Sequence, residues 1–160
     1  MSRYDFVIFG ASGYTGEYVV QEVARTASPG LSWAVAGRNR AKLEQTLKTA
    51  GEQIGKDISK TPIIIADVAD DASLVQMAAQ AKIVINVVGP YRFYGEQVVK
   101  ACVEQGACHV DISGEPVYLE GMQVKYNDKA KESRVYVVGS CGFDSIPCDL
   151  GLQFFKHNFP

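Results

Sequence analysis

Six short apolar strands alternating with helical patterns predict an α/β fold built on a doubly wound, mostly parallel sheet. Two further observations support this. The strands are β-branched and almost continuously apolar, as strands covered on both faces must be. The first strand also runs directly into a glycine-rich turn that opens a helix, at Tyr4–Gly16 (YDFVIFGASGYTG).

Taken in order, Tyr4, Phe6, Val7, Ile8 and Phe9 supply the first strand, and the helix after the turn gathers Val19, Val20, Val23 and Ala24 on one face. Ser32–Gly37 (SWAVAG) is a second strand, Asn39–Ala50 a helix with Leu43 and Leu47 inward, and Gly51–Lys60 a polar loop. Pro62–Val68 is a third strand, and Asp71–Ala81 a helix with Leu74, Met77, Ala78 and Ala81 on one face. Lys82–Val88 is a fourth strand, followed by a helix over Gly95–Gln105 that Gly106 terminates. Cys108–Ile112 and Val135–Gly139 are the fifth and sixth strands, with a helix over Val117–Ser133 between them. Pro147–Lys156 reads as a last helix with proline in its first turn. Right-handed crossovers then give the strand order 3-2-1-4-5-6 of a Rossmann fold in one domain, residues 1–160.

Composition narrows the function classes. The chain is 47% hydrophobic and 21% charged, with a net charge of −2, so it has no electrostatic footprint for nucleic acid. The longest apolar stretch, Ile83–Gly89, contains Asn86 and is far too short to cross a bilayer. Met1-Ser2-Arg3 leads straight into a strand, which leaves no signal peptide and points to a cytoplasmic or membrane-associated intracellular protein rather than a secreted one. Cys102, Cys108, Cys141 and Cys148 form no CxxC pair, and only His109 and His157 could join them as ligands, so no metal site is expected and the thiols read as reduced.

The glycine-rich turn carries the chemistry. Gly10 can take the angles of a sharp turn, Gly13 leaves the backbone N–H groups open to a pyrophosphate, and Gly16 lets the new helix press on the strand. With Ser12, Tyr14 and Thr15 they form a dinucleotide-phosphate cradle. The end of the second strand selects the dinucleotide. An NAD site places a carboxylate there for the ribose 2′-hydroxyl, whereas this chain has Arg38, Arg40 and Lys42 and no acid before Glu44. A guanidinium binds a 2′-phosphate through paired hydrogen bonds, so NADP is expected over NAD.

Further contacts are expected beyond the C-terminal ends of the strands. Asp67 reads equally as an adenine contact or as a helix-capping acid beside Asp70 and Asp71. Gly89, Pro90 and Tyr91 lie where the inner phosphates and nicotinamide ribose would pass, or form a structural turn. Gly142–Asp149 would pass the nicotinamide, with Asp144 or Ser145 alternatively capping the last helix. Catalytic residues are not identified. None of the eight tyrosines has a lysine four residues later, and no GxxxxGK[ST] loop occurs. His109 reads as a satisfied core or strand-end histidine, and Cys141 as a small core residue.

The segments GASGYTG (Gly10–Gly16), WAVAGR (Trp33–Arg38), NVVGPYRFYG (Asn86–Gly95), DISGE (Asp111–Glu115) and CGFDSIPCD (Cys141–Asp149) resemble, in that order, the N-terminal part of a saccharopine dehydrogenase-like oxidoreductase. Saccharopine reductases and trans-acting enoyl reductases are its relatives. The resemblance implies an NADP(H)-binding Rossmann domain, with glycines 10, 13 and 16 at the phosphates and Arg38 at the adenosine end. It also implies hydride transfer to a small-molecule or lipid-linked substrate and an association with lipid droplets or other membranes. Members of that family continue into a second domain that shapes the substrate site, whereas this sequence stops at Phe159-Pro160. A dinucleotide- or partner-binding module without catalysis is the alternative reading.

Overall fold

In the computed structural model, six parallel strands form one sheet in the order β3-β2-β1-β4-β5-β6, as predicted. Residues 3–159 are described; Met1, Ser2 and Pro160, and with them the reading of the chain's first residues, lie outside that range. The strands are β1 (Tyr4–Phe9), β2 (Trp33–Gly37), β3 (Ile63–Ile65), β4 (Ala81–Asn86), β5 (Cys108–Asp111) and β6 (Val137–Val138). The helices are α1 (Tyr14–Thr26), α2 (Arg40–Ile54), α3 (Asp71–Ala79), α4 (Tyr91–Gln105), α5 (Pro116–Ser133) and α6 (Ile146–Asn158).

The alternation along β1 builds both halves of the core. Val7 and Phe9 face Leu74, Met77, Val98 and Cys102 of α3 and α4. Ile8 faces Val20, Leu43 and Leu47 of α1 and α2. A third cluster joins α4 to α5 through Val99, Val103, Tyr118 and Met122. Burying such side chains is worth roughly 1.5–3 kcal/mol each, which holds the strand ends in fixed register.

Differences from the predicted boundaries have local causes. The α2 helix runs through Gly51 to Ile54, because the bare Cα there lets the Lys56 carbonyl approach where a Cβ would sit 2.7 Å away. Gly55 at φ +67° then ends it. Gly106, at φ +66°, ends α4 as expected. The β4 strand stops at Asn86, whose Oδ1 accepts the Val88 N–H at 3.1 Å. The β6 strand is shorter than Val135–Gly139, since the Val135 N–H closes the end of α5 on the Ala130 carbonyl and Ser140 turns toward Asp111.

The start of α4 is the largest shift. It begins at Tyr91, not Gly95, because the Glu115 carboxylate accepts the N–H groups of Tyr91 (2.8 Å) and Arg92 (3.0 Å). A cap supplied from the loop after β5 gives no signal near residue 91. Neither Asp144 nor Ser145 caps α6, whose N-terminus has no side-chain hydrogen bond. No residue of α6 is buried, and Leu150, Phe154 and Phe155 are exposed.

Candidate dinucleotide site

The sheet places the ends of β1, β2 and β4 side by side, with Phe9 level with Ala36 on one side and Asn86 on the other. Strand order reverses between β1 and β4, so the crevice for a dinucleotide opens there. Gly10 leaves β1 at φ +89°, and a Cβ on it would lie 2.7 Å from the Val88 side chain. Its N–H and that of Ala11 bond to the Ala36 carbonyl, at 2.9 and 3.3 Å, tying the turn to β2.

Beyond this anchor the turn is open. Gly13 is the N-cap of α1, and no side chain caps the helix. Among the described residues, the N–H groups of Ser12, Tyr14, Thr15 and Gly16 have no partner in the chain. Tyr14 and Thr15 are exposed and Ser12 is half-buried, so their donors reach solvent together at the positive end of the helix dipole, with the buried Gly16 behind them. A Cβ on Gly13 would meet only the Gly10 carbonyl oxygen, at 3.3 Å, and would otherwise project into the open cradle. Gly16 is different: a Cβ there would collide with the Gly10 carbonyl and lie 2.8 Å from the Ala11 Cα. The three glycines divide the labour between a turn, an approach surface and a helix–strand contact.

Arg38 leaves β2 exposed beside this turn. Asn39 caps α2 by accepting the Lys42 N–H at 3.0 Å, and the first turn of α2 carries no acid. Arg38, Arg40 and Lys42 are absent from the side-chain ion pairs of the described residues. Three cations therefore stand unneutralised at a helix N-terminus, an arrangement that an incoming phosphate dianion would relieve. Asp67 is half-buried; its Oδ1 accepts the Ala69 N–H at 3.0 Å, while Asp70 caps α3 through Ala72 and Ser73. Its second carboxylate oxygen makes no bond among the described residues, so the turn role leaves room for a ligand contact.

At the end of β4, Gly89 and Pro90 are exposed and joined by a cis peptide bond. The buried Tyr91 ring packs under this turn, 3.8 Å from where a Cβ on Gly89 would sit. Its hydroxyl donates to the Asn86 carbonyl at 2.9 Å, and its ring lies 5.4 Å from that of Tyr118. Burial pushes its phenol up to about 12, so it holds its proton. Tyr91 thus pins the turn from beneath, and its side chain is not offered to the crevice.

Sequence reasoning missed a polar layer next to this turn. His109 is fully buried, with Nε2 3.3 Å from the Asn86 amide nitrogen, but Nδ1 is the buried side-chain polar atom that lacks a partner among the described residues. The expectation of a satisfied histidine therefore holds for one ring nitrogen only. Burial lowers its pKa well below 6.5, against a weaker opposing pull from Asp111. Cys141 is half-buried, with its sulfur 3.6 Å from the Val138 carbonyl oxygen and its pKa raised by burial, so it is not an activated thiolate. A groove of about 730 Å³ between α5 and β6 shares only Asp111, Gly139 and Ser140 with the strand ends and lies away from the cradle.

Comparison with known proteins identifies the family and the fold. The sequence profile described as the saccharopine dehydrogenase NADP binding domain matches residues 6–138. A lipid droplet localized protein of Caenorhabditis elegans is 58% identical over 99% of this chain and 38% of its own length. A human saccharopine dehydrogenase-like oxidoreductase is 53% identical over 96% of this chain, again 38% of its own length. The chain thus spans about 38% of the length of these curated relatives. Among solved structures, the apo saccharopine dehydrogenase (L-Glu forming) of Saccharomyces cerevisiae superposes with a TM-score of 0.73 at 21% identity, covering 95% of this chain and 30% of that one. No helix of the described residues is long and apolar enough to cross a membrane.

Proposed function

The chain belongs to the saccharopine dehydrogenase NADP-binding family, and on that premise we propose that its 160 residues form the cofactor domain of an oxidoreductase that transfers hydride between NADP(H) and a small-molecule or lipid-linked substrate. The observation that carries the reading is the open α1 N-terminus beside an unpaired Arg38. The N–H groups of Ser12, Tyr14 and Thr15 hold the pyrophosphate over Gly10 and Gly13. Arg38 takes the 2′-phosphate, Asp67 borders the adenine, and the exposed Gly89-Pro90 turn, pinned by Tyr91, borders the nicotinamide ribose. When bound, the cofactor supplies the hydride; the protein supplies binding, orientation and electrostatics.

Calorimetric titration tests the assignment. NADPH should bind more tightly than NADH by about 1.5–3 kcal/mol, the range for a charge-assisted hydrogen bond. Arg38→Ala should remove most of that difference, and equal affinities in the parent chain would overturn the specificity.

Association with a lipid surface is a further part of this reading. The name of the nematode relative and the exposed Leu150, Phe154, Phe155 and Phe159 support it.

A further inference from the structure

Of the buried polar side chains among the described residues, Asn86, His109, Asp111 and Ser113 sit together at the ends of β4 and β5; only Thr46 lies elsewhere. Ordinary strands of a covered parallel sheet place apolar residues there. A desolvated polar cluster is unfavourable unless its geometry is needed, because each unmatched group carries a desolvation penalty.

The cluster falls into two hydrogen-bonded parts, Asn86 with His109 and Asp111 with Ser113, Ser140 and Tyr118, which face each other across the His109 Nδ1. Asn86 Oδ1 accepts the Val88 N–H, so its amide nitrogen is the donor toward His109 Nε2. That makes Nε2 the acceptor and places the ring proton on Nδ1, which lies 3.9 Å from Asp111 Oδ2. Asp111 is 2% exposed and has no lysine or arginine partner among the described residues. Its Oδ1 accepts the N–H groups of Ser113 (2.9 Å) and Ser140 (3.2 Å), and its Oδ2 accepts the Tyr118 hydroxyl (2.9 Å). Its own carbonyl accepts the Cys141 N–H at 2.7 Å. Ser140 sits at φ +58°, a left-handed conformation that a serine adopts only when held. What holds it is the Asp111 carboxylate and its own hydroxyl, which donates to the Ser113 carbonyl at 2.8 Å. Tyr118 reaches Asp111 only because residue 95 is glycine: a Cβ there would collide with the Tyr118 ring.

We propose that Asp111 is the positioning residue for the nicotinamide half of the cofactor site, locking the turns that leave β5 and β6 into one rigid rim through Ser113, Ser140 and Tyr118, a rim joined to the end of β4 where the Ile112 N–H donates to the Tyr91 hydroxyl (3.4 Å) and that hydroxyl to the Asn86 carbonyl. This rests on the cofactor reading given above. With the pyrophosphate at Gly10–Gly16 and the 2′-phosphate at Arg38 beyond β2, the other half of a dinucleotide must run across β4, β5 and β6. Asp111 touches no cofactor atom; it fixes what does.

The test separates the two halves of the ligand. In the full chain, binding of NADPH and of 2′,5′-ADP, the adenosine fragment, is titrated for the parent and for Asp111→Asn. NADPH affinity should fall at least tenfold while 2′,5′-ADP affinity changes by less than twofold. The emission of bound NADPH should move toward that of free NADPH, a signature that a general loss of stability would not give. Unchanged NADPH affinity in Asp111→Asn, or equal losses for NADPH and the fragment in a folded variant, would overturn the proposal. If Asp111→Asn does not fold, Tyr118→Phe decides it by deleting one hydroxyl: a NADPH-only loss of threefold or more supports the rim, and none refutes it. A parent chain that binds neither probe refutes the cofactor reading itself, and with it this proposal.

Discussion

Gly13 and Gly16 are three residues apart and both belong to the proposed phosphate cradle, yet adding a side chain to them should break different things. At Gly13 the only near neighbour of a new Cβ is the Gly10 carbonyl oxygen, at 3.3 Å, and the N-cap backbone at φ −86° and ψ 169° suits any L residue. Gly13→Val should therefore keep the fold at a cost of about 1 kcal/mol, the usual penalty for an aliphatic residue at a helix N-cap. Its isopropyl group fills the space over the Tyr14 and Thr15 N–H groups. Losing two charge-assisted hydrogen bonds to a pyrophosphate at about 1.5–3 kcal/mol each weakens NADPH binding by two orders of magnitude or more. At Gly16 a Cβ collides with the Gly10 carbonyl and crowds the Ala11 Cα at 2.8 Å, contacts with backbone that cannot rotate aside. Gly16→Ala should cost about 1–3 kcal/mol of overpacking strain, roughly 3–10 °C in Tm for a chain of this size. Thermal melts by circular dichroism and calorimetric titration with NADPH, made on the same samples, read both quantities. Tight binding by Gly13→Val, or a Gly16→Ala protein as stable as the parent, would refute the division of roles.

Two further outcomes are expected. Burial holds the folded-state pKa of His109 below its ordinary 6.5, so the unfolded chain binds a proton that the folded one does not as pH falls below 6.5. Stability should then drop on acidification by about 1.4 kcal/mol per pH unit from this group. Urea melts at several pH values should show His109→Gln losing that part of the slope, and an unchanged slope would place the titration elsewhere. Flotation with phospholipid-coated oil droplets tests the lipid association. The chain should rise with the droplets, and replacing Phe154 and Phe155 together with serine should reduce the floated fraction several-fold; a parent chain that stays at the bottom would remove the idea.

Much of the architecture was legible because its causes are local. Apolar runs of β-branched residues need two covered faces, and the strand–turn–helix at Tyr4–Thr26 demands glycines wherever backbone meets backbone or phosphate. Those requirements are met by neighbours in the chain, so strand order, the cradle and the basic end of β2 could be read directly from the sequence. Other features depend on partners that only folding brings together. Glu115 starts α4 from 24 residues away, and Asp111 holds Ser140 from 29. Tyr91, a strand-end residue in sequence, is drawn inward by the Asn86 carbonyl. His109 looked like a strand residue of no special interest, since nothing adjacent shows that its Nε2 faces Asn86 and its Nδ1 faces a carboxylate. Local propensity fixes which segments become strands and helices; side-chain hydrogen bonds across the sheet register decide where those elements begin and which polar groups are buried together.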